Sequence, residues 1–389
     1  MVGFYVLADS DGLLAAWVWD FVTHNWALMS MMTTLVVLIV VPVVVIRNYL
    51  RLIINIFDDT PPPLSVLPRD YAEMKGEDVD FLALDGHRLY GTMIPCNPAL
   101  APRGTVLFAH EFESDAQSCA RYCKPLIEAG YDVFSFDFRG HGRSAGEENY
   151  RPRMWPSDRE VNDMLGAIAY VGDYLENAAR PPDIGLFGIS RGAGAAIIAA
   201  EAVSNVRAIV TDGAFSSDTT LEYFMKRWAK IFAKVRVVYE NHPAIFWRFL
   251  RWLLFRECSR RFHCHYPSVR KALARLRDQP ILMIHGEKDT YIPVSQTQML
   301  YDYAGEPKYI WIVPGAKHNQ SVVAQPEAYA DKTLQFFNTY LGGIESDADR
   351  LRPLRRLTQP LVDRPQVGQC QTRATGSRTP VQNADDKAP

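Results

Sequence analysis

Cysteine is scarce in this sequence and never occurs as C-x-x-C. Its six cysteines (Cys96, Cys119, Cys123, Cys258, Cys264 and Cys370) are too few and too irregular for a disulfide framework in 389 residues. Cys119 and Cys123 fall on one face of an expected helix and read as ordinary free thiols. The stretch Cys258-Ser-Arg-Arg-Phe-His-Cys-His265 gathers two cysteines and two histidines. It has no C-x-x-C spacing and its arginines oppose a cation, so no metal is expected. G-x-x-x-x-G-K and H-E-x-x-H are also missing, which leaves no sign of nucleotide or metal chemistry and no expected cofactor. Neither sign of charge is in excess: 42 Lys and Arg against 44 Asp and Glu give a net charge of -2. Phosphate binding usually leaves a strong basic surplus, so no nucleic-acid partner is expected. Residues 1–46 contain no Lys or Arg, which argues against the basic start of a secretory signal. There is no internal repeat.

What is present begins with Ala27 to Ile46, ALMSMMTTLVVLIVVPVVVI, an uncharged run. A helix of that length spans about 30 Å, the thickness of a bilayer's hydrocarbon. Pro42 is tolerable in such a helix. Arg47 and Arg51 follow the run, while Asp9, Asp11 and Asp20 precede it. The positive-inside rule then places the amino terminus outside and everything after Arg47 in the cytoplasm, as a single-pass protein. Trp17, Trp19 and Trp26 suit the membrane interface. The expected order is an N-terminal segment (1–26), a transmembrane helix (27–46) and a linker (47–75) stiffened by Thr60-Pro-Pro-Pro63.

From about residue 76 to 342 the chain alternates strand and helix patterns, which predicts a mostly parallel sheet with crossover helices. Val79–Leu84 and Arg88–Ile94 read as a hairpin around Asp85-Gly86. Six further apolar runs suit buried strands: Thr105–Ala109, Val133–Asp137, Ile184–Ile189, Ala208–Thr211, Ile281–His285 and Tyr309–Val313. Asp158–Leu175 and Ala193–Ala202 are among the helical patterns between them. Residues 216–277 interrupt the rhythm with a helical stretch dense in aromatics and basic residues, dividing a core into 76–215 and 278–345. Residues 346–389 are polar and proline-rich, an expected disordered tail.

The chemistry-bearing pattern is Ile184-Gly-Leu-Phe-Gly-Ile-Ser-Arg-Gly192, a strand running into G-x-S-x-G and a small-residue helix start. A serine at such a strand-to-helix turn projects its Oγ outward, and the flanking glycines leave room for close backbone. Serine needs a base and an orienting acid to act as a nucleophile. Asp289 follows the strand Ile281–His285, and His318 follows Tyr309–Val313. Asp212, after Ala208–Thr211, is a rival for the acid.

The order Ser190, Asp289, His318, each past a strand's carboxyl end, resembles the α/β-hydrolase family over about residues 76–342. Asp137-Phe-Arg-Gly-His-Gly-Arg-Ser144 resembles that family's G-H-G-x-S loop, in which Asp137 and His141 hold structure. The resemblance implies an eight-stranded, mostly parallel sheet with helices on both faces and residues 216–277 as a cap. It also implies attack by Ser190 on an acyl carbonyl, with His318 as base and Asp289 orienting it. The oxyanion hole is expected from the backbone N–H groups of Arg191 and Phe112. The family usually has His-Gly where this chain has His110-Glu111. Glu111 therefore either sends the loop along another path or adds a carboxylate near the site.

Within the cap, Ile245-Phe-Trp-Arg-Phe-Leu-Arg-Trp-Leu-Leu-Phe255 carries Arg248 and Arg251 at helical spacing. Two readings fit: a helix packed on the core with its arginines in water, or one lying at an anionic membrane surface. The expected function is hydrolysis of a carboxylic ester, with thioester, amide or lipid-like acyl substrates open. Aminopeptidase and acyltransferase activities use the same triad, and a membrane-tethered scaffold without turnover is the reading from another class.

Overall fold

A computed structural model describes residues 10–59, 74–180, 182–232, 242–276 and 278–343. The chain starts with two helices, α1 (Ser10–His24) and α2 (Trp26–Asp59), followed by the hairpin β1 (Glu77–Leu82) and β2 (Arg88–Ile94). Then come β3 (Gly104–Ala109), α3 (Cys119–Glu128), β4 (Tyr131–Phe136), α4 (Asp158–Asn177), β5 (Ile184–Ile189), α5 (Arg191–Glu201) and β6 (Val206–Asp212). Three helices follow: α6 (Ser217–Phe232), α7 (Ala244–Phe262) and α8 (Val269–Leu273). The chain closes with β7 (Ile281–Gly286), α9 (Val294–Tyr303), β8 (Lys308–Val313), α10 (Ser321–Ala324) and α11 (Pro326–Tyr340).

The eight strands form one sheet in the order β1-β2-β4-β3-β5-β6-β7-β8. β2 is antiparallel to both neighbours, and every pair from β4 to β8 is parallel. This is the α/β-hydrolase fold. Parallel strands need both faces covered, which is why β4, β5 and β7 are buried throughout rather than alternating. One face packs Met164, Ile168 and Val171 of α4, Ile197 of α5 and Leu300 of α9 against the sheet. The other packs Tyr122 and Leu126 of α3 with Tyr329, Phe336 and Phe337 of α11. α4 is held at its start by a capping box, with Ser157 and Glu160 satisfying each other's backbone N–H groups.

A third cluster lies off the sheet and joins α6 and α7 to the end of α2. Among the described residues α2 is the one helix long and apolar enough to cross a membrane, and its side chains from Leu28 to Val45 are exposed. Residues 47–59 correct the expected linker: they continue the helix. The cause is packing, because Ile53, Ile54 and Phe57 are buried against Trp155, Trp247 and Phe262. Phe57 stacks on Trp155 at 5.0 Å and 3°, and Asp58 accepts from Arg153 Nε at 2.7 Å. The expected proline linker at residues 60–63 and the tail 346–389 lie outside the described residues.

Candidate active site

β5 ends by turning sharply into α5, and Ser190 sits at the turn with φ 51° and ψ −112°. A non-glycine residue there stores strain, and the surroundings hold it in place. A Cβ on Gly188 would collide with Ala193, and one on Gly192 with the carbonyl oxygens of Ala109 and His110. Both glycines are therefore required for the close approach of α5 to β3 and β5. Ser190 N–H donates to the carbonyl of Asp212 at 2.8 Å, which ties the turn to β6.

Ser190 Oγ lies 2.9 Å from His318 Nε2, and His318 Nδ1 lies 2.6 Å from Asp289 Oδ2. Asp289 follows β7 and His318 follows β8, so the three side chains meet at the carboxyl ends of the parallel strands β5, β7 and β8, with β6 between the first two. The other Asp289 oxygen, Oδ1, accepts from the N–H groups of Tyr291 and Ile292, each at 2.8 Å. Burial alone would raise the Asp289 carboxyl, but hydrogen bonds from His285 and His318 outweigh it and hold it well below the usual carboxylate range. Asp212, the rival acid, faces elsewhere: its Oδ1 accepts from Ser321 Oγ at 3.0 Å. Burial pushes the Asp212 carboxyl up to about 6.

His285 is a participant that the sequence reading quoted without a role. Its fully buried Nε2 is 2.9 Å from the carbonyl of Ile292 and 3.2 Å from Asp289 Oδ2. Neither neighbour can donate, so Nε2 carries a proton. Nδ1 is 2.7 Å from Thr297 Oγ1, whose own hydrogen has the carbonyl of Ala214 as acceptor at 3.0 Å. Every group is satisfied when both ring nitrogens of His285 are protonated. Burial opposes that charge, but Asp289 outweighs it and raises His285 above the ordinary histidine value. The available signal was a histidine four residues before the acid at the end of a strand.

The side chains of the two residues expected to supply oxyanion donors meet: the Arg191 guanidinium lies over the Phe112 ring, 5.1 Å from its centroid. The left-handed residue of the loop after β3 is Glu113, φ 62°, so Glu111 needs none of a glycine's freedom. Glu111 also brings a carboxyl to the site, where burial raises it within electrostatic reach of Arg121, His318 and Asp212. Its Oε2 is buried without a hydrogen-bond partner. His110 Nε2 accepts from Phe138 N–H at 3.1 Å, so its Nδ1–H donates to the carbonyl of Glu111 at 2.6 Å. Burial, with Arg191 nearby, lowers His110 to about 3 and leaves it neutral. Asp137 braces the same loop, accepting from Ala116 N–H at 2.7 Å and Arg143 N–H at 2.8 Å.

The membrane-length helix reaches this site. Phe57 and Asp58 at the end of α2 line a cavity of about 30 Å³ with Phe112, Glu113 and Met154. Tyr291, against the His318 ring at 5.3 Å, extends its hydroxyl to Met154 Sδ. The cysteines of the candidate metal cluster, Cys258 and Cys264, are buried free thiols raised by burial. Cys119 and Cys123 are likewise buried and free.

Compared with known proteins, residues 101–243 match the serine aminopeptidase, S33, family. The chain is 27% identical over 247 residues to the uncharacterised protein YfhR of Escherichia coli O157:H7, covering 62% of this chain and 73% of that one. It is 25% identical over 259 residues to a monoacylglycerol lipase of Mycolicibacterium smegmatis, covering 59% and 85% respectively. The solved esterase Pf2001 of Pyrococcus furiosus is similar with a TM-score of 0.51 at 23% identity, covering 72% and 96%. The α/β hydrolase GrgF from Penicillium sp. sh18 has a TM-score of 0.51 at 20% identity, covering 69% and 99%. These structures share the fold.

Proposed function

We propose that this protein is a membrane-anchored serine hydrolase that cleaves carboxylic esters with a lipid-like acyl group. The observation that carries the reading is the continuous path from Ser190 Oγ to His318 Nε2 at 2.9 Å and from His318 Nδ1 to Asp289 at 2.6 Å, behind a serine held at φ 51°. Ser190 Oγ attacks the carbonyl carbon while its proton passes to His318 Nε2. The carbonyl oxygen becomes an oxyanion beside the N–H groups of Arg191 and Phe112, at the start of α5. The C–O bond to the alcohol breaks, and His318 returns the proton to the leaving oxygen. Water then gives a proton to the same nitrogen and attacks the acyl-Ser190 carbonyl; the C–O bond to Ser190 breaks, His318 returns the proton to Ser190 Oγ, and the acid is released. Asp289 fixes the imidazole tautomer and balances its charge.

The exposed apolar length of α2, followed by Arg47 and Arg51, supports a single membrane crossing with the hydrolase on the cytoplasmic side. A lipid-like substrate is supported by the position of α2 beside the site and by the monoacylglycerol lipase relative. The match to serine aminopeptidases favours a second reading, removal of an amino-terminal residue from a peptide. Purified wild type and Ser190→Ala, assayed on p-nitrophenyl esters of rising chain length and on aminoacyl arylamides, separate the two. Ester turnover that rises with acyl length and vanishes in the variant supports the proposal; turnover of the arylamides alone replaces it with the peptidase.

A further inference from the structure

α7 has two apolar faces, and the fold uses only one. Trp247, Leu250, Leu254, Cys258 and Phe262 are buried against α6 and α2. On the other side Ile245, Phe249 and Trp252 are 65%, 47% and 53% exposed. Three large side chains on one edge of one helix make an apolar strip rather than scattered surface residues. Basic residues interleave with it. Arg251 is tied to Glu222 at 2.6 Å and Arg260 to Glu257 at 2.6 Å, whereas Arg248 and Arg256 are exposed and the Arg256 guanidinium lies 5.5 Å from the Trp252 ring centroid.

The position of this strip relative to α2 indicates what covers it. The apolar run of α2 ends at Ile46, and the residues that follow, from Tyr49 to Phe57, pack on the α6–α7 pair. Tyr49 Oη donates to the carbonyl of Met225 on α6 at 2.6 Å, and Arg47 lies within electrostatic reach of Glu257 on α7. α6 at Met225 and α7 near Glu257, five residues beyond Trp252, therefore approach the level at which the run ends. If α2 crosses a bilayer, that level is the membrane surface.

We infer that α7 is a second membrane-contacting element, with Ile245, Phe249 and Trp252 seated in the interface of a bilayer and Arg248 and Arg256 on anionic phospholipid headgroups. The inference rests on the reading of α2 as a membrane span. Aromatic and aliphatic side chains enter the boundary between headgroups and acyl chains, and nearby arginines gain from anionic lipid. α7 packs by its buried face on a helix whose own exposed apolar length fits a bilayer, which favours lipid over a protein partner for the strip on its other face. It gives the hydrolase a footing on the surface from which a lipid-like ester would be drawn.

The test uses the full chain with Cys370→Ser, in which the remaining cysteines are buried. A fluorophore is attached at Phe249→Cys, at Leu35→Cys within α2, or at Leu84→Cys beside the β1–β2 turn. Each protein is reconstituted in phosphatidylcholine vesicles, with and without phosphatidylglycerol, that contain a quencher on the lipid. Quenching at 35 and at 249, but not at 84, is the expected result. Phosphatidylglycerol should increase quenching at 249, and Arg248→Glu with Arg256→Glu should abolish that increase. Quenching at 35 with none at 249 overturns the inference and leaves the span standing. No quenching at 35 removes both. Equal quenching at 249 with and without phosphatidylglycerol overturns the headgroup assignment.

Discussion

His285 and His318 approach the same oxygen of Asp289, at 3.2 and 2.6 Å. The two ring nitrogens are therefore less than 6 Å apart, and a charged His285 partly offsets the carboxylate that supports His318. Replacing it with a neutral residue should make the base hold its proton to higher pH. His285→Gln is expected to move the acid limb of the kcat/KM profile upward, because removing a positive neighbour of Asp289 strengthens its hold on the protonated base. The plateau rate should change by less than about fivefold, because the substitution leaves Ser190 and His318 in contact. A limb that stays in place, measured on any turned-over ester, contradicts the assignment of charge to His285.

Two buried aspartates end adjacent strands, and geometry gives them different work. Asp289→Asn should lower kcat by about 10³–10⁴-fold through loss of the tautomer that presents Nε2 to the serine. Asp212→Asn should stay within about tenfold, since Asp212 contacts Ser321 and the Ser190 backbone instead. Steady-state rates of the two variants at one pH decide between them.

Both Asp212 and Glu111 are acids raised by burial, so their native forms retain protons that the unfolded chain has lost. Stability from such a group is fully present below the unfolded value and is lost as pH rises through the folded one. For Asp212 the window runs from the ordinary 3.8 to about 6. Relative to wild type, Asp212→Asn and Glu111→Gln should gain melting temperature as the buffer moves upward from pH 4, with the Asp212 gain levelling above about 6. Thermal unfolding in detergent at a series of pH values reads this directly; a difference that shrinks with rising pH contradicts it.

Phe57 belongs to the membrane-length helix but is buried, stacked between Trp155 and Phe262 of α7. Phe57→Ala is expected to cost about 3–5 kcal/mol by the cavity it leaves. It should also raise KM for long-chain esters more than it lowers kcat, because the ring borders the oxyanion loop rather than the reacting atoms. Thermal unfolding and a chain-length series of esters check the two parts.

Much of this could be read from residue order. The buried strands announce themselves as apolar runs, and Ser190 stands out because G-x-S-x-G follows one of them and precedes a helix. His285 was invisible because its charge depends on Thr297, Ala214 and Ile292, which only the fold brings to one ring. The extension of α2 was missed for a related reason. Arg47, Asn48, Arg51 and Asn55 look like the polar start of a loop, whereas Ile53, Ile54 and Phe57 become helical by packing on Trp155 and α7, far along the chain. Where the resemblance expects glycine this chain has Glu111, and the left-handed residue of that loop is Glu113.

The central claim is that Ser190 is an activated nucleophile. Its most direct measurement is labelling of the full chain in detergent with a fluorophosphonate, followed by mass mapping of the modified peptide. The account predicts one adduct on Ser190, absent from Ser190→Ala and strongly slowed in Asp289→Asn. A folded wild type that takes up no label, or an adduct on another residue, would contradict it.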